Sequence, residues 1–513
     1  MPRPVYADNL SLLEKHGRQI YFTGESLSDG SIEATFGHQE VAIPGNLAVC
    51  SSCHGYDGLG RPESGIEPTN ITWKHLSKSF GHIHDHFQHA PFTDDSLKTF
   101  LRSGIFPGGA QADLSMPRYR MPESDLDALV AYLKRLGALQ DPGISSDQIR
   151  IGSVFYEEGG RTTRSALLDT LLQRYFEKIN QSGGLFGRKL SFVSFPLKRG
   201  DEHVMALKDW LVKNDLFVLL GPYLPGAEVP FFDVVTSLDI PVVGPYTVYP
   251  QLDFQKNRKT FSLLPGLYHQ LRALQAYIVQ QKIEPSPKVG LLHEQAADIE
   301  QVARKLNEDW RNSDWMPIKT ALIPEGAQEE SLEKIVKELQ QSGVNVIVYA
   351  GFESNLLRLM ALVSESNWSP VFLVSGSLAG NALMTVPEKL AAGFFIAYPT
   401  LMRDRLAPAV SKLGELVNLQ EVGPQEIQPL ISAYVSAELF VHCLKNNGRD
   451  LDRRKLISAL EKTYRFNAGL MPPLTYTLNR RVGTDGIYVV RPNKNQRDDG
   501  EKISVEWFQP PTL

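Results

Sequence analysis

The spacing of apolar residues divides the chain into two regions of different texture. Over the first 140 residues, strand-like runs are few while glycine and histidine are frequent, which predicts short helices joined by long loops. One segment near the end of this region has apolar residues at helical spacing, with Ser124 as a candidate N-cap and Gly137 as a candidate C-cap. Its apolar positions are Leu126, Leu129, Val130, Leu133 and Leu136.

From Gln148 onward, short apolar runs alternate with amphipathic segments. This alternation is typical of the strands and helices of parallel α/β sheets, and about 360 residues are enough chain for two such sheets. Before this region, the turn-forming run DPGISS at 141–146 interrupts both patterns, so we place a linker over 141–148. The predicted strands are 149–156, 190–195, 217–221, 242–244, 288–292, 344–350, 371–374 and 393–397.

The composition is that of a folded globular protein without a nucleic-acid partner. The chain has 513 residues, of which 42% are hydrophobic and 22% charged, and its formal net charge is −5. Lysine and arginine are scattered among aspartate and glutamate, so no basic stripe is available to neutralise phosphates. No run of 18 apolar residues occurs, and the sequence therefore predicts no membrane span.

Two of the three cysteines belong to a motif that points to haem. Cys50 and Cys53 are followed at once by His54, an order that lets two thiols join the vinyl groups of a porphyrin and puts an imidazole beside the iron. A redox-active cysteine pair usually opens a long helix, whereas glycines follow here, and a four-ligand zinc site would need a second ligand pair. The sequence therefore predicts one covalent haem c with His54 as an axial ligand. The third cysteine, Cys443, is expected to be a buried free thiol.

The first region, from about residue 10 to 138, carries Gly17 and Tyr21 near its start and AYLK at 131–134 near its end, and through these residues it resembles the class I cytochromes c. Members of that family open with a helix that carries a glycine and an aromatic residue, matched here by Gly17 and Tyr21. They close with a helix ending in a Tyr-Leu-Lys run, matched by AYLK at 131–134, and the two helices cross at the glycine. The resemblance implies an all-α cytochrome c domain over 8–140.

The sixth ligand of the iron follows from the same resemblance. Family members supply a methionine, usually followed by proline, from a loop before the last helix. Met116 and Met121 are both followed by proline. A ligand needs the freedom of a loop, so Met116 is expected to bind the iron, with Met121, next to the start of the helix, as the alternative. The histidines of 82–89 could bind a second metal or replace methionine, but such a cluster is more often solvated.

The second region, from Ile149 to about Pro492, contains the runs IRIG at 149–152, INQSGGLFGR at 179–188 and LLGP at 219–222. Through these runs it resembles the type I periplasmic binding proteins of the branched-chain amino acid and amide uptake family. The glycines of the second run permit a helix cap and a tight turn into the next strand. The glycine pattern of a dinucleotide-binding site is missing after the predicted strands.

This second resemblance implies a multidomain chain in which the all-α domain is followed by a two-lobed α/β fold over 149–513. One lobe is expected over 149–280 plus 425–470, and the other over 281–424. Ligands bind such folds in the cleft where strand ends from both lobes meet. The candidate cleft residues at these strand ends are Tyr156, Glu157, Tyr223, Tyr246, Thr247, Phe352, Glu353, Ser375 and Ser377.

Recognition of a free amino acid looks weakened in this chain. Where relatives carry hydroxyl residues that hold the ligand carboxylate, the sequence has LPG at 224–226. Where relatives place a carboxylate for the ligand ammonium, it has AAG at 391–393. Glu353 beside Phe352 could supply an acidic group, but tight binding of leucine is not expected.

The haem motif is intact while the amino-acid site has lost matching residues. The sequence therefore favours a periplasmic electron-transfer protein with a ligand-binding domain over the alternative, an ABC-transporter receptor with an accessory cytochrome domain. The expected partners are a redox protein such as a dehydrogenase or oxidase, a small organic ligand and, in the alternative, an ABC permease. Catalysis is not expected, because nothing in the predicted cleft resembles a nucleophile with a base and oxyanion donors. The run VYA at 5–7 fits the end of a truncated secretory signal, which favours export.

Overall fold

A computed structural model gives the fold as two compact units, Met1–Ser145 (unit 1) and Ser146–Leu513 (unit 2). The division falls inside the expected linker, 141–148. The candidate signal at 5–7 lies outside the described residues. The structure describes residues 10–27, 30–36, 41–55, 58–60, 68–84, 87–136, 141–157, 162–252, 258–400, 407–418, 420, 422–423, 426–448, 451–492 and 503–510.

The described part of unit 1 contains five α-helices and five short strands. The helices are α1 (Leu12–Thr23), α2 (Cys50–His54), α3 (Trp73–Leu76), α4 (Asp94–Ser103) and α5 (Glu123–Leu133). The strands are β1 (Glu33–Phe36), β2 (Val41–Pro44), β3 (His82–His84), β4 (Phe87–His89) and β5 (Arg118–Arg120).

The strands of unit 1 form an antiparallel sheet with the order β2-β1-β5 and a separate β3-β4 hairpin. In the sheet, the buried Ala34 of β1 lies opposite the buried Tyr119 of β5. The prediction of an all-α domain is therefore wrong. Strands of three or four residues are too short to show alternation in the sequence, so this sheet left no readable pattern.

Helices α1 and α5 cross in direct contact at Gly17. Helix α1 begins at a capping box formed by Ser11, and a Cβ on Gly17 would lie 1.8 Å from the carbonyl oxygen of Ala128 in α5. Only a glycine allows this approach, so the predicted crossing at Gly17 is confirmed. One turn later, the buried Tyr21 donates a hydrogen bond from its hydroxyl to the carbonyl of Gly55, at 2.7 Å.

The predicted last helix of unit 1 corresponds to α5, with a different start. Pro122, in an extended conformation, precedes the helix, and Ser124 lies inside the first turn instead of at the N-cap. The expected C-cap, Gly137, lies outside the described residues. Glu123 and Asp125 place negative charge in the first turn, where the helix dipole favours it.

Unit 2 alternates strands and helices along most of its length, as the sequence predicts. Its strands are β6 (Gln148–Tyr156), β7 (Lys189–Leu197), β8 (Val218–Leu220), β9 (Val242–Val243), β10 (Thr260–Phe261), β11 (Val289–Glu294), β12 (Lys319–Ile323), β13 (Val346–Ala350), β14 (Val371–Ser375), β15 (Phe394–Tyr398), β16 (Ile487–Pro492) and β17 (Ile503–Phe508). Its α-helices are α6 (Thr162–Gln181), α7 (Asp201–Asn214), α8 (Glu228–Ser237), α9 (Leu267–Gln280), α10 (Ala297–Asp309), α11 (Glu329–Gln341), α12 (Glu353–Glu365), α13 (Gly376–Ala379), α14 (Ala407–Gly414), α15 (Ile427–Asn447) and α16 (Arg453–Glu461).

These strands form two sheets, one for each lobe. The first-lobe sheet is parallel and has the order β10-β9-β8-β6-β7. The second-lobe sheet has the order β12-β11-β13-β14-β15-β16-β17, and its last two strands are antiparallel to their neighbours. The two-lobed α/β architecture predicted for this region is therefore confirmed.

The lobe boundary predicted near residue 280 is wrong. Leu271 and Ile278 of α9 are fully buried in the same core as Leu291 of β11 and Phe395 of β15. Helix α9 therefore belongs to the second lobe, because its apolar face is buried there. Helix α15 packs against α6 and β8, so the chain returns to the first lobe as expected before β16 and β17 complete the second sheet.

Among the helices that the structure describes, only α15 is long and apolar enough to cross a membrane. Of its apolar window, 78% is buried inside the protein. Cys443, on this helix, is a free thiol with 1% exposure, which confirms the expected buried cysteine. Because most of its apolar window is buried, α15 is a core helix of unit 2.

Candidate functional sites

The Cys-x-x-Cys-His motif forms the short helix α2, at whose end the His54 ring is held as a neutral imidazole. His54 is 7% exposed, and its Nδ1 lies 2.9 Å from the carbonyl oxygen of Thr69. A carbonyl oxygen can only accept, so Nδ1 carries the proton and Nε2 keeps a lone pair that can bind a metal. Burial also lowers the pKa of His54, which favours the neutral imidazole.

The thiols of α2 do not have the character of a redox-active pair. Cys50 is half-buried and Cys53 is exposed. Burial raises the pKa of Cys50 to about 11, although a hydrogen bond to Tyr119 acts in the opposite direction. A reactive pair needs a thiolate near neutral pH, so this environment disfavours the redox alternative.

Met116 and Met121 occupy different places in unit 1. Met121 is 8% exposed and lies within the core, whereas Met116 packs at the edge of that core, as Cys50 does. The carbonyl of Met116 accepts a hydrogen bond from Arg118, whose guanidinium also donates to two carbonyls earlier in the same loop. Arg118 thus bonds to three backbone carbonyls of the loop that carries Met116. The half-buried Met116 is more accessible than the buried Met121, so Met116 stays the predicted ligand.

The histidine-rich segment 82–89 forms the β3-β4 hairpin, in which His82 lies opposite His89. His89 is 5% exposed, its Nδ1 lies 2.7 Å from the carbonyl oxygen of Ala90, and its ring stacks on Phe106 at 4.8 Å. The expected solvated position is therefore wrong for His89, which is a core residue. The side chains of 82–87 lie outside the described residues. Within the described chain, no three His, Cys, Asp or Glu side chains are grouped so that they could hold a metal ion.

In unit 2, three predicted cleft tyrosines continue the first-lobe sheet beyond its strands. The N–H of Tyr156 donates to the carbonyl of Tyr223 at 2.8 Å, and Tyr223 forms a further parallel bridge with Tyr246. The rings of Tyr223 and Tyr246 stack with centroids 5.5 Å apart and planes at 13°. The three residues therefore lie at one edge of the sheet, where the carboxyl ends of its strands meet.

Arg164, near the start of α6, extends this aromatic stack. Its guanidinium lies 5.0 Å from the ring centre of Tyr223 and donates to the Tyr223 hydroxyl at 2.5 Å. It also forms an ion pair with Glu426 at 3.1 Å. Burial raises the pKa of Tyr223 despite the nearby cation. The positive charge of Arg164 is thus balanced within the lobe.

The carboxylate of Glu228, in the first turn of α8, accepts two hydrogen bonds at the neighbouring strand end. One of its carboxylate oxygens accepts from the N–H of Gly226 and the other from the hydroxyl of Thr247, both at 2.8 Å. Glu228 is 3% exposed, and burial raises its pKa to about 7. Two groups that could hold a ligand carboxylate are therefore already bound to a carboxylate of the protein.

In the second lobe, Phe352 and Glu353 connect β13 to α12. Phe352 is 44% exposed, and its N–H donates at 2.8 Å to a carboxylate oxygen of Glu294 that also accepts from the Tyr349 hydroxyl at 2.6 Å. The Glu353 carboxylate accepts from the N–H of Asn381 at 3.1 Å. Both acidic groups thus support backbone turns at this end of the sheet.

Ser375 and Ser377 follow β14 and contact a buried amide of α9. The Ser375 hydroxyl, 2% exposed, donates to Gln270 at 2.7 Å. Gln270 in turn donates to the Ser377 hydroxyl and to the carbonyl of Pro265, both at 2.8 Å. These serines hold α9 against the end of β14.

The segment 391–393 lies at the opposite end of the second sheet from the cleft. It directly precedes β15, whose first residue, Phe394, pairs with Phe372 near the start of the parallel strand β14. The cleft end of β15 is Tyr398. The expectation that 391–393 corresponds to a ligand-ammonium site is therefore wrong, because a position before a strand lies at the amino end of a parallel sheet.

A cavity of about 170 Å³ lies between the lobes and adjoins Glu228. The first lobe contributes Glu228, Phe232 and Tyr249, and the second lobe contributes Tyr268 and Asp298. Burial raises the pKa of Asp298. The cavity is therefore lined by aromatic rings and carboxylates from both lobes.

A larger cavity of about 610 Å³ lies on the first lobe, between α6, α14 and α15. Tyr175 and Glu438, joined by a 2.8 Å hydrogen bond, form part of its lining. It is distant from the carboxyl ends of the strands, and the side chains of 407–410 on neighbouring α14 lie outside the described residues. The cavity between the lobes is the better candidate, since open α/β sheets bind ligands at their strand ends.

Comparison with protein families decides what this fold belongs to. Residues 148–499 match the family model described as periplasmic binding protein. The chain belongs to the periplasmic binding protein family. Comparison with curated proteins gave no match.

Solved structures of other periplasmic binding proteins have the same fold. A substrate-binding protein of an ABC transporter from Aeropyrum pernix is 13% identical, with a TM-score of 0.55 over 71% of this chain and 97% of that one. A branched-chain amino acid ABC transporter protein from Thermus thermophilus with bound valine is 15% identical, with a TM-score of 0.51 over 72% and 97%. An extracellular ligand-binding receptor from Verminephrobacter eiseniae is 16% identical, with a TM-score of 0.50 over 68% and 99%. At these identities the likeness shows the fold alone.

Membership of the periplasmic binding protein family implies a periplasmic location and a substrate-binding, non-catalytic role. The predicted strand-end residues lie at the edges of the two sheets, but the lining of the interlobe cavity comes from other residues. Glu228 and Asp298 lie in the first turns of helices, where acidic residues are common for reasons of capping and helix dipole. Their sequence positions therefore carried no specific sign of a binding site.

Proposed function

We propose that this chain is the ligand-binding receptor of an ABC transporter, and that unit 2 captures a small organic ligand between its lobes for delivery to a permease. The proposal rests on the family match over 148–499 together with the cavity between the two lobes. This receptor role, which the sequence analysis placed second, replaces electron transfer as the primary function because the matched family consists of binding proteins.

A free branched-chain amino acid is not the ligand we expect, although the Thermus protein holds valine. A ligand carboxylate near Gly226 and Thr247 would compete with the carboxylate of Glu228 for the same donors. A charged group left without its partner loses roughly 1–3 kcal/mol, or about tenfold to a hundredfold in affinity. Leucine, isoleucine and valine are therefore expected to bind weakly.

Unit 1 is proposed to carry one covalent haem c as an accessory to the receptor. Cys50 and Cys53 would hold it by thioether bonds, and His54 and Met116 would be the axial ligands. The protonated Nδ1 of His54 and the position of Met116 at the edge of the core support this assignment. A bound haem of this type supplies one-electron transfer, so a redox partner protein is part of the proposal.

The receptor role is tested on the full-length chain, produced with export and with a haem-attachment system. A library of amines, carboxylic acids, amides and alcohols is screened by thermal shift, and small-angle X-ray scattering then follows closure of the lobes. We expect at least one compound to raise the melting temperature and to make the protein more compact. Tyr249→Ala, in the cavity, should abolish this effect, whereas Tyr464→Ala, at a side chain 77% exposed, should not. Failure of the whole library, or stabilisation that persists in Tyr249→Ala, would contradict an interlobe receptor site.

A further inference from the structure

The first-lobe wall of the interlobe cavity presents a carboxylate whose hydrogen-bond donors, among the described residues, come from the same lobe. Glu228 accepts from Gly226 and Thr247, and the Thr247 hydroxyl accepts in turn from the N–H of Tyr249 at 2.9 Å. These contacts satisfy polar groups but bring no positive charge to Glu228. The wall therefore keeps a net negative charge whenever Glu228 is ionised.

The second lobe adds an acidic group on the other side of the cavity. Asp298 of α10 lines the cavity and makes no hydrogen bond or ion pair with the residues that the structure describes. Asp233 of α8, in the first lobe, also lines the cavity. Burial raises the pKa of the Tyr249 hydroxyl, and the charges of Asp298, Glu228 and Glu294 add to this shift, so the three carboxylates lie close to the same ring. Within the described lining these carboxylates have no lysine or arginine partner, and the repulsion between like charges raises the free energy of the site when they are ionised.

The remaining lining completes a site of recognisable chemistry. Phe232, Tyr249 and Tyr268 supply aromatic rings, and the described lining includes no lysine or arginine. Aromatic faces together with carboxylates attract organic cations, because the ring quadrupole and the negative charge favour the same ligand. A volume of about 170 Å³ fits a small molecule.

We infer that the cleft of this receptor selects a small organic cation, a primary or quaternary ammonium compound, over carboxylates and amino-acid zwitterions. The inference rests on the proposed receptor role and adds the charge class of the ligand. A cation would neutralise Glu228 and Asp298 together across the two lobes, and would thereby favour the closed state. A ligand carboxylate would add a further negative charge at the same place.

The test is isothermal titration of the full-length chain with matched probes. Choline represents the quaternary ammonium ligands and butylamine the primary ones, while 3,3-dimethylbutan-1-ol is the uncharged isostere of choline. Isovalerate and valine represent the carboxylate and the zwitterion. We expect choline or butylamine to bind at least tenfold more tightly than the other three compounds, and the better of the two identifies the kind of ammonium group.

Variants assign this preference to the cleft. Asp298→Asn should weaken binding of the preferred ammonium probe about tenfold and leave binding of the uncharged isostere unchanged, while Asp314→Asn, at an exposed acid of the same lobe, should change neither. Tightest binding by isovalerate or valine would overturn the inference while leaving the receptor role intact. Absence of binding by both ammonium probes would also overturn it, and the library screen would then decide the receptor role separately.

Discussion

Replacing Glu228 by glutamine removes a buried charge while nearly preserving the volume of the side chain. Burial raises the pKa of Glu228 from 4.5 to about 7. Between these two values the folded protein keeps a proton that the unfolded chain releases, so this group lowers the free energy of unfolding as the pH rises from about 4.5 to about 7. The loss is nearly complete about one pH unit above 7, where Glu228 is ionised in both states.

The size of the effect follows from that change in pKa. A shift from 4.5 to about 7 corresponds to about 3 kcal/mol of destabilisation at pH 8. Glutamine carries one acceptor oxygen in place of two, so one of the contacts to Gly226 and Thr247 is weakened, at a cost of about 1 kcal/mol. We therefore expect Glu228→Gln to stabilise unit 2 by about 2 kcal/mol at pH 8 and to give no stabilisation at pH 4.5.

Differential scanning calorimetry of the full-length chain at pH 4.5, 6 and 8 measures this difference. For a unit of this size, about 1 kcal/mol moves the melting temperature by roughly 1–2 °C, so a rise of about 2–4 °C is expected at pH 8. Glu330→Gln, at an exposed glutamate, is the matched control and should leave the melting temperature unchanged. A stabilisation of the same size at all three pH values, or destabilisation at pH 8, would refute the reasoning from the buried charge.

Three further predictions concern unit 1. Met116→Ala is expected to remove the long-wavelength charge-transfer band of thioether-ligated ferric haem and Met121→Ala to keep it, and the reverse pattern would assign the ligand to Met121. Chain produced with a haem-attachment system should stay coloured after acid-acetone extraction, and Cys50→Ala with Cys53→Ala should lose the colour; a colourless extract residue from folded wild-type protein would contradict covalent haem. Gly17→Ala is expected to lower the free energy of unfolding of unit 1 by about 1–3 kcal/mol or more, because its Cβ would overlap a carbonyl of α5, and an unchanged urea midpoint would count against this contact.

Local features of unit 1 could be predicted from the sequence because their chemistry lies within a few neighbouring residues. The haem motif is five consecutive residues, so the haem prediction required no knowledge of the fold, and it stays a prediction. The resemblance carried by Gly17 and Tyr21 implied a helix crossing at Gly17, and the structure has that crossing. The short strand β1 and its partners escaped prediction, because four residues are too few to show a period.

For unit 2, the alternation of strands and helices was enough to predict two parallel α/β sheets, because burying both faces of a parallel sheet imposes that pattern on the sequence. The membership of α9 in the second lobe was decided only by tertiary packing, since its apolar face would suit either sheet. Tertiary packing also decided the chemistry of the cleft. Glu228 and Asp298 begin helices in different lobes, and folding alone brings them to one cavity. A carboxylate can cap a helix, bind a neighbouring residue or bind a ligand, and the donors and charges around it in space decide which of these it does. Those surrounding groups come from segments spread over the whole chain, so the local sequence does not reveal them.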